Sequence, residues 1–382
     1  MKKLIVLPKH KYHTIDTVTP ILLEFSSRAP NKIEIFFPKY NDLVQLKKNF
    51  VLHETLNSIS KIKLFGHKNF FLHKIIKIYY LFYFTILALL KNKFIHFGEL
   101  DYWPFKIISL INKDNVFFCE SSPYFDNYDK FAALAHDKGN FKNVIKNNDW
   151  TNVKSISCRN IIVNDERNYY SRHPKHKNKN FFVYGASRLS DNWIKHSKKY
   201  EDELFIQNQN IKKELGYIVF VLTTFVPYRD FKDGNSQINL FKDTLEVLNE
   251  MQIPSLIKPH YFTQMETVKK ELKNYKNIHI SYAHPTVLAL NAKAWICNIF
   301  STTCADAFGI GVPTIEYTEY SQNLKKYTNN SSLTPEFIDY FISRDKKKLK
   351  ETLETILSKS FQKKQRIFAT DKNNLIGRLT QV

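Results

Sequence analysis

The stretch AKAWICNIFSTTCADAFGIGVPTIEY, residues 292–317, decides how this chain is read. It runs apolar from Ala294 to Ile299 and reaches the hydroxyls Ser301, Thr302 and Thr303. A short helical segment follows, and Gly311-Val312-Pro313 leads into a second apolar run. A buried strand that stops at hydroxyls and opens a helix makes an anion site. The first N–H groups of the helix have no partner within it, and the helix dipole puts partial positive charge at the same end. Upstream, IPSLIKPH (253–260) is a second buried strand that ends in charge. Two strand ends carrying Lys258, His260 and three hydroxyls predict a site for a phosphorylated ligand.

The same alternation extends outward over the chain. Short apolar strands are predicted at 3–7, 32–38, 61–65, 94–98, 115–120, 160–164, 181–185, 216–224, 254–260 and 277–282. Helical sequence fills 14–27, 40–57, 69–92, 104–112, 196–215, 237–251 and 263–274. Residues 121–158 read as a helical excursion, and the C-terminus from Pro335 reads as helical and Lys-rich. Strands separated by helices of this length predict βαβ units, parallel sheets and helices on both faces. The break near 185–195 predicts two domains, 1–185 and 186–382. Ligands of such sheets bind at the carboxyl ends of the strands, so the expected site is the cleft between the domains.

Composition narrows the class. Charged residues are 24% and hydrophobic residues 43% of 382, which fits a globular protein with a sizeable core. Lys+Arg exceeds Asp+Glu by 57 − 36 = 21, a surplus that suits nucleic acid, an anionic membrane or a phosphorylated substrate. An AT-rich coding bias would produce part of it. No Cys/His finger, RNP-like aromatic signature or periodic basic helix is present, which argues against a nucleic-acid partner. Cys119, Cys158, Cys297 and Cys304 are scattered without metal-ligand spacing, which predicts a reducing, cytoplasmic setting and no structural zinc. The N-terminal apolar run KLIVL is too short for a signal peptide.

The segment IYYLFYFTILALL (78–90), flanked by Lys74, Lys77, Lys91 and Lys93, is shorter than the about 20 residues a spanning helix needs. Two readings stay open: a buried core helix, or a basic, aromatic-rimmed helix on the inner membrane surface. The basic run 171–180 reads as a solvated loop.

Three segments carry a resemblance. FFVYGASRLSDNW (181–193) is similar to an interdomain G-x-x-R-x-D segment, LIKPH (256–260) to a K-P-H strand end, and FSTTCADAFGIGVPTIEY (300–317) to an S-S-x-x-x-E-A-x-x-x-G-x-P motif. Together they resemble GT-B glycosyltransferases of the bacterial capsule, lipopolysaccharide and teichoic-acid group, which includes CDP-glycerol glycerophosphotransferases. The likeness covers roughly residues 181–320. It implies two Rossmann-like domains facing across a cleft, with the donor half C-terminal. It also implies a nucleotide-sugar donor, a growing glycan or lipid-linked glycan acceptor, and no metal or cofactor.

In this resemblance Ser301, Thr302 and Thr303 grip the diphosphate, and Lys258 and His260 stabilise the leaving group. Asp306 stands where the family has a ribose-binding carboxylate, one methylene longer there, and Arg188 faces the cleft. Transfer also needs a base for the acceptor hydroxyl. Strand-end candidates are Glu99, Asp101, Glu120, His10 and His13, with Glu99 favoured slightly and Glu120 next. Tyr102, Trp103 and Tyr124 could stack on sugar rings or belong to the core. Glycerol-phosphate transfer and sugar-nucleotide epimerisation are the alternative activities.

Overall fold

A computed structural model describes residues 2–8, 12–67, 69–120, 156–164, 176–207, 211, 216–223, 225, 236–260, 263–299, 301–358, 364–368 and 371–381. Residues 121–155 of the excursion expected at 121–158, residues 171–175 of the 171–180 loop, His10 and Tyr124 lie outside them. The described residues form two compact units. Unit 1 takes the chain to residue 120, residues 156–193 and the C-terminal stretch from Phe368; unit 2 takes Ile194–Ile367.

Unit 1 is built on seven described strands: β1 Leu4–Leu7, β2 Ile33–Phe37, β3 Ser60–Leu64, β4 Lys93–His96, β5 Val116–Cys119, β6 Asn160–Val163 and β7 Asn180–Val183. All pair in parallel, in the order β3-β2-β1-β4-β5-β6-β7. The central strands LIVL, IEIFF and VFFC are buried along their whole length. Strands covered on both faces read as continuous apolar runs rather than alternating ones, which is why they are visible in the sequence. The single helix expected at 40–57 is two, Tyr40–Lys48 and Phe50–Ile59. Asn49 divides them, because its side chain accepts from the Leu52 N–H (3.3 Å) and caps the second helix.

Two charged groups are held inside unit 1. Glu34, 5% exposed in β2, accepts from Lys3 Nζ (2.6 Å), Lys63 Nζ (2.7 Å) and the Tyr83 hydroxyl (3.0 Å). Burial alone would raise its carboxyl, but these three donors outweigh burial and hold it below the ordinary glutamate value. Arg188 stands in the turn Ser187–Leu189, and its Nη1 donates to Asp16 Oδ2 at 2.5 Å. The two side chains are only 3% and 8% exposed. Beside them Ser187 Oγ donates to the Thr17 carbonyl (2.8 Å). Arg188 therefore departs from the expectation that it faces a ligand: a guanidinium buried this deeply needs a counter-charge, and Asp16 of the helix Tyr12–Arg28 supplies it.

The C-terminal segment differs from its assignment to a 186–382 domain, because it packs in unit 1. Lys372 N–H donates to the Val183 carbonyl (3.1 Å), and Val183 N–H donates to Asn373 Oδ1 (3.0 Å), so the chain returns to the edge of β7. The helix Leu375–Thr380 buries Leu375, Ile376 and Leu379. Its last turn is met by Lys93, whose Nζ donates to the Arg378 (2.6 Å) and Gln381 (2.5 Å) carbonyls. Burial, with Arg378 and Lys2 nearby, pulls this ammonium down to about 8.

Unit 2 is a second parallel sheet: β8 Tyr217–Val221, β9 Ser255–Lys258, β10 Ile278–Ile280, β11 Ala292–Cys297, β12 Thr314–Thr318 and β13 Tyr340–Ser343, in the order β10-β9-β8-β11-β12-β13. β13 corrects the reading of everything beyond Pro335 as helical. The four residues YFIS are too short for a clear period, and pairing with β12 rather than local pattern makes them a strand. The helix Pro285–Asn291 was not anticipated either. Pro285 opens it, and His284 Nδ1 accepts from the Thr286 N–H (3.1 Å). All four cysteines are buried and free.

Replacing Glu34 with Gln is expected to cost about 2 kcal/mol, less than a fully buried pair because Lys3 and Lys63 are partly solvated. Since the folded carboxyl is lowered, its contribution is present above the unfolded glutamate value and is lost as pH falls through the folded one. In urea melts the stability difference between wild type and Glu34→Gln should therefore be full at neutral pH and shrink as the pH is lowered; a constant difference would contradict the assignment. Arg188→Ala should destabilise by about 3–5 kcal/mol, since it leaves Asp16 charged and buried. An unchanged melting temperature would show that the pair is not structural.

Candidate functional site

In both sheets the strand order reverses beside the first strand of the unit, between β1 and β4 in unit 1 and between β8 and β11 in unit 2. At such a point the connections leave in opposite directions and open a crevice at the carboxyl edge. In unit 2 the reversal falls at the residues singled out from the sequence. Lys258 pairs with Val221, and Val221 with Cys297, so the ends of β9, β8 and β11 are level. Two strand spacings put the Lys258 backbone roughly 10 Å from that of Cys297.

Beyond β11 the chain is fixed at each step. Asn298, 7% exposed, donates from Nδ2 to the Tyr317 carbonyl (3.0 Å) and to Thr244 Oγ1 (3.3 Å). Ser301 is the N-cap of the helix Thr302–Ile310: its Oγ accepts from the Thr303 N–H (3.4 Å) and shares a hydrogen bond with Thr303 Oγ1 (2.9 Å). At the end of β11 Cys297 donates from Sγ to the Ile315 carbonyl of β12 (3.6 Å). Ser301, Thr302 and Thr303 are all part-exposed, so the start of this helix is a part-exposed cluster of three hydroxyl residues at a helix N-terminus. The far end of the helix closes on Gly311 at φ 93°, with Val312 N–H donating to the Ala307 carbonyl (2.9 Å). A Cβ on Gly311 would stand 2.3 Å from the Lys364 carbonyl oxygen, so both the backbone angle and the space demand glycine.

Beyond β9 the loop is held by Thr263. Its hydroxyl accepts from the His260 N–H (2.8 Å) and donates to the Thr223 carbonyl just past β8 (2.9 Å). Leu222 N–H donates to the Lys258 carbonyl (3.0 Å). Lys258 is half-buried and His260 is exposed at one face. The surrounding protein, and next the Lys258 ammonium, lower the His260 imidazole below its ordinary value. The neutral ring is thus a hydrogen-bonding group at neutral pH, and Lys258 carries the charge. Thr263 escaped the sequence reading; the only signal was a hydroxyl three residues after the K-P-H motif.

Asp306 does not share the exposed face. It is fully buried in the second turn of the helix, so it presents no surface to a ribose. The other interior carboxylate nearby is Glu316 of β12, also fully buried, which accepts from the Tyr320 hydroxyl and from Ser332 Oγ (2.5 Å). Sequence reading did not mark it, since a Glu inside an apolar strand gives no hint of which hydroxyls will meet it.

In unit 1 the base candidates follow adjacent strands. Glu99 is half-buried in the turn Glu99–Asp101 after β4, and its Oε2 accepts from the Phe97 N–H (2.8 Å). The fully buried His96 organises that turn: Nδ1 accepts from the Gly98 (3.1 Å) and Leu100 (3.4 Å) N–H groups, which places the ring proton on Nε2. Gly98 sits at φ 117°. Glu120 is half-buried directly after β5, its N–H donating to the Ile162 carbonyl (3.0 Å). Asp101 accepts from the Ser157 N–H (2.8 Å). Tyr102 and Trp103 are exposed at 60% and 69%, so they are not core. Neither His10 nor the side chain of His13 lies within the described residues. Arg188 belongs to the interior of unit 1, with Asp16.

No family model and no curated protein matches the chain by sequence. Solved structures match by shape. A UDP-GlcNAc 2-epimerase from Neisseria meningitidis bound to UDP-GlcNAc superposes with a TM-score of 0.55 at 10% identity, over 94% of this chain and 91% of that one. The Methanocaldococcus jannaschii UDP-GlcNAc 2-epimerase, in complex with UDP-GlcNAc and UDP, gives 0.52 at 14% identity over 99% and 98%. Arabidopsis thaliana UGT89C1 complexed with UDP gives 0.53 at 9% identity over 94% and 91%. At these identities the likeness establishes the fold: two Rossmann-like α/β units of the GT-B class.

Proposed function

We propose that the chain is a nucleotide-sugar enzyme, and that it transfers the sugar to a growing cell-surface glycan such as capsule or lipopolysaccharide. The observation that carries the reading is the coincidence, at the β8/β11 reversal of unit 2, of a hydroxyl-capped helix N-terminus with the Lys258 strand end. It is supported by GT-B structures solved with UDP or UDP-GlcNAc. In this reading Ser301, Thr302 and Thr303 hold the diphosphate, Lys258 offsets its charge and His260 donates a hydrogen bond. The acceptor hydroxyl attacks the anomeric carbon as the bond to the phosphate oxygen breaks. The departing charge is stabilised by Lys258 and the helix N-terminus. The acceptor proton passes to a carboxylate, for which we put forward Glu99 first and Glu120 second. No metal takes part. The acceptor is a glycan or lipid-linked glycan, and the setting is cytoplasmic.

Sugar-nucleotide epimerisation is the second reading. Its support is that UDP-GlcNAc 2-epimerases share this fold, as do glycosyltransferases solved with UDP. Glycerol-phosphate transfer rests on the K-P-H and hydroxyl-turn resemblance alone.

Donor binding tests the site. UDP-, GDP-, CMP- and CDP-linked donors are screened by thermal shift, where ligand at 100 times Kd adds about 2.7 kcal/mol to stability. At least one should shift the melting temperature. Thr302→Ala, Thr303→Ala and Lys258→Ala should each weaken it by roughly 10- to 100-fold, the value of a charge-assisted hydrogen bond. If no nucleotide binds, the donor site is wrong.

Product analysis with the binding donor separates the readings. Transfer requires acceptor and releases nucleotide; epimerisation proceeds on the donor alone. Under the transfer reading Glu99→Gln lowers kcat by roughly 10²- to 10⁴-fold with donor affinity unchanged, and a chelator has no effect. A sugar inverted without acceptor would transfer the assignment to the epimerase.

A further inference from the structure

The helix Phe70–Leu89 has two apolar faces, and one of them is uncovered. On the inner side Phe84 and Ala88 are fully buried, and Phe84 lies edge-on to Phe36 (4.9 Å) and Phe94 (6.2 Å) in the core of unit 1. On the outer side Phe71, Ile75, Ile78, Phe82, Ile86 and Leu89 are 48–69% exposed. They recur every three or four residues and so form one continuous stripe along the helix. Six large apolar side chains half-open to water exceed the few hundred Å² that a soluble surface ordinarily leaves bare. Such a stripe marks a surface that is covered in use.

The charge around it selects the cover. From Thr55 to Gly98 the chain contains seven lysines and no aspartate or glutamate. Lys74 and Lys77 on the helix and Lys91 at its end are exposed. A second copy of the chain docked by two-fold symmetry would bring these same lysines against one another. An anionic phospholipid surface instead offers phosphates to the lysines and an acyl boundary to the stripe. Tyr79, 62% exposed on this helix, and Trp103, 69% exposed just before the adjoining helix Lys106–Ile111, are of the type that settles at headgroup level. The helix is long and apolar enough to cross a bilayer, but its inner face is committed to the sheet, so it lies in the membrane plane.

We propose that the outer face of Phe70–Leu89 is a docking surface for anionic phospholipid membranes. The inference needs no nucleotide sugar, so it stands or falls separately from the activity. The full chain is sedimented with phosphatidylcholine vesicles with and without phosphatidylglycerol, and its mass in solution is measured without lipid. Wild type should be monomeric and bind the phosphatidylglycerol vesicles, less tightly at high salt. Ile78→Glu with Phe82→Glu should lose at least about 100-fold in vesicle affinity, since two apolar insertions are removed. Its melting temperature should not fall, because both positions are already solvated. Lys74→Gln with Lys77→Gln, which leaves the stripe intact, should lose about tenfold on phosphatidylglycerol vesicles only. Absence of vesicle binding by wild type would overturn the proposal. So would a dimer that the Ile78→Glu, Phe82→Glu variant converts to monomer.

Discussion

Two parallel strands cannot be joined by a tight turn; the chain must cross the sheet and come back. In this protein each described strand pair is parallel, so that one constraint sets the rest. It forces a crossover between successive strands, covers both sheet faces and turns the central strands into unbroken apolar runs. It also gathers every strand end that points the same way at one edge. Functional groups then need only follow a strand to be brought together, and the reversals between β1 and β4 and between β8 and β11 decide where.

This is why so much of the fold could be read from the residues. LIVL and VFFC announce themselves because burial on both faces leaves no room for polar alternation, and IEIFF and AKAWIC depart from it by one charged residue each, Glu34 and Lys293. β13 was illegible for the opposite reason. It is an edge strand whose end residues Tyr340 and Ser343 are exposed, and its identity comes from Ile315 to Thr318 beside it. The split at Asn49 depended on a side chain turning back to its own backbone, a choice that an apolar period does not encode.

The candidate site divides along the same line. Lys258, Ser301, Thr302 and Thr303 lie where the sequence places them, at the ends of β9 and β11, because position along a strand is itself a sequence property. Arg188 and Asp306 were misplaced because direction is not. Arg188 has Asp16 as its partner, 172 positions away, and nothing in the sequence near either announces the other. Asp306 follows the exposed hydroxyls by one helical turn but belongs to the fully buried part of its helix. Thr263 and His96 were missed as fixers of loops; each acts through hydrogen bonds to main-chain groups that have no sequence signature.

The return of the C-terminal segment to β7 has a consequence for how the protein is made. β1 precedes unit 2 in the chain, yet the β7 edge of unit 1 and the Lys93 ammonium wait for groups of residues 372–381. On the ribosome unit 2 can therefore mature before unit 1 is closed. A stalled or truncated product would expose the edge of a parallel sheet and a buried lysine with no acceptor. Exposed strand edges of this kind are what make partly folded chains prone to aggregate, and residues 372–381 remove that edge.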